Sequence, residues 1–144
     1  MATNSAGSGG RKNSDLPGPI VFIRKKVVYS EWSGTNNDAH IAGVLPPNSV
    51  VVASQSHVIV VTGFDDTNGD DLDIGITGGD DDWFASGLDL NTGSGVLLTL
   101  DDLTDTERYS ASRREVTYNF TTAPTGNGTT GEAWIIIGGY VLDV

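Results

Sequence analysis

Glu115-Val116-Thr117-Tyr118-Asn119-Phe120-Thr121-Thr122 places large apolar and polar side chains in strict alternation from Val116 to Thr121. At a two-residue repeat, Val116, Tyr118 and Phe120 fall on one face of an extended chain and Thr117, Asn119 and Thr121 on the other, as in a half-buried sheet. The same texture recurs on both sides of this stretch. Short β-branched and aromatic runs over Ile20–Tyr29, Ala39–Val44, Ser49–Thr62, Leu72–Thr77, Gly95–Leu100 and Glu132–Leu142 are separated by Gly, Asn, Asp and Pro, the residues that end strands and form turns. Ser54, Gln55 and Ser56 interrupt the apolar character of Ser49–Thr62, so that run is expected to hold two strands or one bent strand. Seven or eight strands at this spacing predict an all-β fold, an antiparallel β-sandwich of jelly-roll-like character. Helix signals are weak. The best is Asp80–Ser86, one or two turns in which Asp residues would sit at the positive end with Trp83 and Phe84 packed beneath. Alternation within each run selects a core of Val21, Ile23, Val58, Val60, Ile74, Leu98, Val116, Tyr118, Phe120, Ile135 and Ile137.

A chain of 144 residues is long enough for one domain with its own core. Residues Met1–Pro19 are rich in Gly, Ser, Asn and Pro and nearly devoid of large apolar groups, too few to offset the entropy of ordering them. The expected organisation is therefore an extended N-terminal arm, 1–19, followed by a single sandwich domain, 20–144. The arm is expected to order on a partner, with Arg11 and Lys12 as its partner-binding cations. The opening segment has no apolar stretch of the kind a secretory signal needs, and no run approaches the ~18 apolar residues of a membrane helix, so no membrane partner is expected. With no cysteine there is neither a disulfide framework nor a thiolate metal site.

Charge is unevenly distributed. The chain carries a net -11, which argues against nucleic acid as a partner of the main body. Between Asp65 and Glu107 there are twelve Asp and one Glu without a single Lys or Arg, whereas Met1–Ser30 holds Arg11, Lys12, Arg24, Lys25 and Lys26 against Asp15 alone. This polarity suits a molecule that presents its basic first strand and arm to an acidic surface and turns an acidic face to solvent. The alternative is that Asp serves turns and solubility.

Residues with chemical potential form no recognisable catalytic constellation. His40 and His57 lie in no metal-ligand or nucleophile motif and read as structural. The pairs Asp65-Asp66, Asp70-Asp71 and Asp101-Asp102 and the triplet Asp80-Asp81-Asp82 supply carboxylates in abundance, but acid/base work needs a fixed separation beside a cleft. The chain is therefore read as non-enzymatic and without a cofactor. The strongest metal candidate is a calcium loop formed by Asp66, Asn68, Asp70, Asp71 and Asp73. Counted from Asp66, its Gly falls at the fourth place instead of the sixth, and Thr77 stands at the twelfth where the EF-hand pattern requires Glu. A turn in which Asn68-Gly69 supplies the left-handed residues is the competing reading.

The order of turns and strands carries a resemblance. Leu45-Pro46-Pro47-Asn48-Ser49-Val50-Val51-Val52, then Gly63-Phe64-Asp65-Asp66, Leu72-Asp73-Ile74-Gly75, Arg108-Tyr109-Ser110-Ala111 and a final Ala133-Trp134-Ile135-Ile136-Ile137 strand together resemble small head-associated structural proteins of tailed bacteriophages. The likeness covers about Val28–Val144 and leaves the arm out. It implies a jelly-roll-like decoration or cement protein, dimeric or trimeric, that bridges major capsid protein subunits on the outside of the virion after synthesis in the host cytoplasm. Two alternatives stand beside it. One is a head-fibre, tail-tip or receptor-binding module with Trp83-Phe84 at an exposed loop tip. The other is a calcium-dependent carbohydrate-binding sandwich that uses the Asp65–Asp73 loop and a platform of Trp32 or Trp83.

Overall fold

A computed structural model describes residues 20–31, 38–66, 71–103, 107–122 and 128–143. The arm, with Arg11 and Lys12, lies outside the described residues, as do Trp32, Asn68 and Asp70. The described strands are β1 Ile20–Val28, β2 His40–Leu45, β3 Ser49–Val52, β4 His57–Thr62, β5 Asp71–Ile76, β6 Ala85–Asp89, β7 Val96–Thr99, β8 Glu107–Ser110, β9 Arg114–Thr122 and β10 Glu132–Val141. They form an antiparallel β-sandwich. One sheet has the order β2-β9-β5-β6; the other runs β7-β4-β10-β3-β8, with β1 on the opposite side of β10. Consecutive strands mostly switch sheets, and β5–β6 is a hairpin within one sheet, which gives the jelly-roll-like chain path.

β10 is the spine of the larger sheet. Along one side it pairs with β1; along the other, Glu132–Ile136 pair with β4 and Gly139–Val141 with β3. The expected break in Ser49–Thr62 is thus real: β3 and β4 are two parts of one run, parted by a 3-10 turn at Ala53–Gln55. Ser56 repairs the ladder there. Its hydroxyl accepts the Gly138 N–H at 3.1 Å and can donate to the Val52 carbonyl at 2.9 Å, satisfying groups that the turn would otherwise strand in a buried place. The crossover from β2 to β3 uses Leu45-Pro46-Pro47-Asn48. Asn48 adopts φ 61, a left-handed conformation that Asn tolerates better than most residues, and its carbonyl accepts the Leu142 N–H at 2.8 Å.

The core lies between the sheets. Of the expected core residues, Ile23, Val58, Val60, Ile74, Val116, Tyr118, Phe120, Ile135 and Ile137 are buried, and Leu98 is partly buried against them. Val21 is instead 49% exposed. The β1–β10 register slips between Ile137 and Gly138, so β1 gains a residue at Phe22 and its alternation changes face; Phe22, not Val21, packs on the core.

Three further expectations are corrected. Asp80–Ser86 forms no helix: it is a turn leading into β6, and Phe84 is fully buried. β6 and β8 are strands without a strand signal, because Ala-Ser-Gly-Leu-Asp and Glu-Arg-Tyr-Ser lack the β-branched residues that mark strands. Finally, the second face of β9 is solvated only at its end, where Thr121 is exposed, since Thr117 and Asn119 are buried. The Asp80–Asp81 segment crosses Gly75, the neighbour of Thr117 on β5, so closely that a methyl group there would strike both carbonyl oxygens.

Candidate interaction surface

The larger sheet buries alternate residues of β4 and β10, namely Val58, Val60, Ala133, Ile135 and Ile137. The intervening residues point away from the core, and most of them, Ile59, Val61, Trp134 and Ile136, are apolar too, beside His57 and Glu132. Cross-strand register aligns Leu97, Ile59, Trp134 and Lys26 in one row across β7, β4, β10 and β1, and Thr99, His57, Ile136 and Arg24 in the next. Leu97 is 59% exposed and the adjoining Val61 44% exposed, while Ile59, Trp134 and Ile136 are half-buried. A third row, Tyr109, Val50 and Tyr140, continues the register toward β8, with Tyr109 50% exposed, Tyr140 half-buried and Val50 buried. The signal for this surface was present in the sequence as runs without alternation, His57–Val61 and Ala133–Ile137, which are typical of strands covered on both sides. Its basic margin is β1. Lys26 pairs with Glu132 at 2.9 Å, whereas Arg24 has no carboxylate partner among the described residues.

The opposite face of the sandwich is acidic. Asp71 and Asp73 project from β5 on the side away from core residues Leu72 and Ile74, and Asp71 stands opposite Asp89 of β6. Burial, reinforced by Asp89, pushes the Asp71 carboxyl up. Asp73 is also pushed up, chiefly by burial, with Asp81 and Asp101 adding to the effect against the Gly87 N–H that its Oδ1 accepts at 2.7 Å. In the turn above, Asp80, Asp81 and Asp82 bring one carboxylate oxygen each within 4.8 Å of one another. Asp82 is pushed up to about 6, first by its hydrogen bond with Asp80 and then by the charge of Asp80. Asp80, Asp82, Trp83, Asp102 and Arg108 line a shallow cavity of about 120 Å³.

Of the residues named as a calcium loop, Asn68 and Asp70 lie outside the described residues, and the described ones, Asp66, Asp71 and Asp73, have separate surroundings. Asp66 is buried at the far end of β4, where its Oδ2 accepts the Tyr29 hydroxyl at 3.0 Å, and Asp71 and Asp73 sit on β5 as above. Asp65 is a clamp. Its Oδ1 accepts the N–H groups of Thr129 at 2.7 Å and Thr130 at 2.9 Å, bonds that hold its carboxyl below the usual range, the Thr130 bond foremost. His57 lies on the apolar face. His40 stacks on Tyr118 with ring centroids 5.4 Å apart, at a rim where Lys25 stands 6.0 Å from the same ring. Burial, followed by the Glu31 charge and hydrogen bond, raises the Tyr118 hydroxyl to about 12. Trp83-Phe84 is not an exposed tip: Phe84 is in the core, and the guanidinium groups of Arg108 and Arg114 stand over the Trp83 ring at 5.3 and 5.9 Å. Among the described residues no helix is long and apolar enough to cross a membrane.

No protein-family model matches the sequence, and no curated protein sequence matches it. The fold does have solved counterparts. A chain in the cyanophage Pam1 capsid asymmetric unit superposes with a TM-score of 0.63 at 16% identity, covering 88% of this chain and 86% of that one. A chain of the Ralstonia phage GP4 capsid gives a TM-score of 0.58 at 23% identity over 90% and 88% of the two chains. One from the acid-stable capsid of Helicobacter pylori bacteriophage KHP30 gives 0.53 at 12% identity over 88% and 94%. The reciprocal coverage makes each of them about the length of this chain. The sandwich is therefore a fold found in phage capsid structures.

Proposed function

We propose that this chain is a viral structural protein that decorates the exterior of a tailed-phage capsid and cements contacts between major capsid protein subunits, without catalysing a reaction. The observation that carries the reading is the apolar outer face of the larger sheet, centred on Trp134. A contiguous apolar sheet face with an aromatic centre on an otherwise acidic chain is the mark of a protein-binding surface. The sandwich fold, which recurs in capsid chains of similar length, supports placing that surface in a virion. Within this reading the arm 1–19, with Arg11 and Lys12, extends from the β1 end and wraps a neighbouring subunit, and the protein acts as a dimer or trimer at the shell's symmetry axes.

The carbohydrate-binding alternative has less support, since the Trp83 ring is capped by two guanidinium groups and offers no open platform. The test is stoichiometry and stability of purified particles. A cement protein is present in a fixed ratio to the major capsid protein, is accessible to protease from outside, and leaves particles less heat-resistant when its gene is deleted. Recovery of the chain only in isolated tails, or intact heads of equal stability without it, overturns the proposal.

A further inference from the structure

Resting on that reading, we infer that the chain docks through the outer face of its larger sheet onto a protein surface with an apolar centre and carboxylates at its margin, leaving the acidic smaller-sheet face toward solvent. The two faces of the sandwich differ in kind. Leu97, Ile59, Trp134 and Ile136 make one of them apolar, with Arg24 and Lys26 along its β1 edge. The other holds Asp71, Asp73, Asp81 and Asp89, with Asp71 directly opposite Asp89 across β5 and β6 and with Asp81 and Asp89 exposed. Contact through the acidic face would bring the carboxylates of Asp71, Asp81 and Asp89 out of water without a cation to meet them, whereas contact through the apolar face removes Trp134 and its neighbours from water.

The charges also select the occupant. On the outer side of β7, β4, β10 and β1, where Arg24 lies, the described residues bring one carboxylate, Glu132, and it is already bonded to Lys26. Two copies of this chain placed face to face would therefore leave Arg24 of each without a counter-charge, and would join two chains of net charge -11. A different protein that brings carboxylates opposite Arg24 satisfies both the apolar centre and the basic edge. Under the cement reading that protein is the major capsid protein.

The experiment titrates shells assembled without this chain with the full-length protein and four variants, each first checked for an unchanged melting temperature. Leu97→Glu is placed at an exposed position, Trp134→Ala removes the central aromatic, and Asp81→Lys/Asp89→Lys alters the acidic face. The inference expects the first two to weaken binding at least about 30-fold and the double variant to bind like the parent. Arg24→Glu should weaken binding roughly tenfold, mostly at low salt. Equal binding by Leu97→Glu and Trp134→Ala, or loss of binding by the acidic-face variant, overturns the face assignment while leaving the cement reading intact. If the folded parent chain itself fails to bind shells, it is the cement reading that falls. Sedimentation of the free chains identifies the occupant: a parent oligomer that Trp134→Ala reduces to monomers places a second copy on this face and overturns the heterotypic assignment.

Discussion

Replacing Phe120 by Ala tests the packing argument most directly. Phe120 is fully buried in β9, with its ring centroid 6.0 Å from that of Phe64 at an interplanar angle of 45°, and Phe64 in turn lies 6.2 Å from Tyr29. Truncation removes the apolar contact of a whole ring and leaves a cavity between two sheets whose hydrogen-bonded backbones are stiff, so collapse is limited. Phe-to-Ala changes at such sites cost about 3 to 5 kcal/mol, of which roughly 0.5 to 1.5 kcal/mol belongs to the aromatic pair. For a chain of this size the corresponding fall in melting temperature is roughly 10 to 20 °C. The assay is urea denaturation followed by Trp fluorescence, with the slope of the transition compared so that only midpoint shifts at constant slope are read as stability. Ile41→Ala, at a position 58% exposed, is the control and should shift the midpoint by less than about 0.5 kcal/mol. Equal midpoints for Phe120→Ala and the parent would refute the assignment of Val116, Tyr118 and Phe120 to the core face.

Other perturbations probe separate parts of the structure. Ser56→Ala leaves the buried Gly138 N–H without its acceptor and should cost about 1 to 3 kcal/mol by denaturation, whereas Ser49→Ala, whose buried hydroxyl has no hydrogen-bond partner among the described residues, should be neutral or stabilising. Gly75→Ala forces the Asp80–Asp81 segment off the smaller sheet and should speed amide exchange at Ile76, whose N–H is bonded to the Asp80 carbonyl; unchanged protection would refute that packing. The carboxylates predict opposite pH dependences. Asp65 has its pKa lowered on folding, so its contribution is present above the unfolded value of 3.8 and fades as pH falls through the folded one, and Asp65→Ala should destabilise at neutral pH but not at the acid end. Asp73 has its pKa raised, so its ionisation opposes folding as pH rises through the folded value; Asp73→Asn, which keeps an oxygen for the Gly87 N–H, should gain stability at pH 7 relative to the parent and lose that gain below 3.8. In a carboxyl NMR titration, Asp82 should show a step near 6 that disappears in Asp80→Asn.

The sequence by itself determined the fold class and most of the core, because a strand's two-residue repeat is a local property: Val116, Tyr118 and Phe120 must share a face wherever the strand lies. It also located the turns, including Leu45-Pro46-Pro47-Asn48, through the conformational limits of Pro and Asn. What it left open depended on neighbours remote in the chain. The Phe22 bulge arises from pairing with β10, more than a hundred residues later, and no local rule moves Val21 off the core. β6 forms because β5 is beside it and not because Ala-Ser-Gly-Leu-Asp prefers extension. Acidic residues read as one loop are parted by the fold: Asp66 turns to Tyr29, and Asp73 turns to Gly87. The interaction surface is likewise tertiary. The doubly apolar runs of β4 and β10 signalled cover on both faces, but only the register of four strands places Leu97, Ile59, Trp134 and Lys26 in one row on the outside of the sandwich.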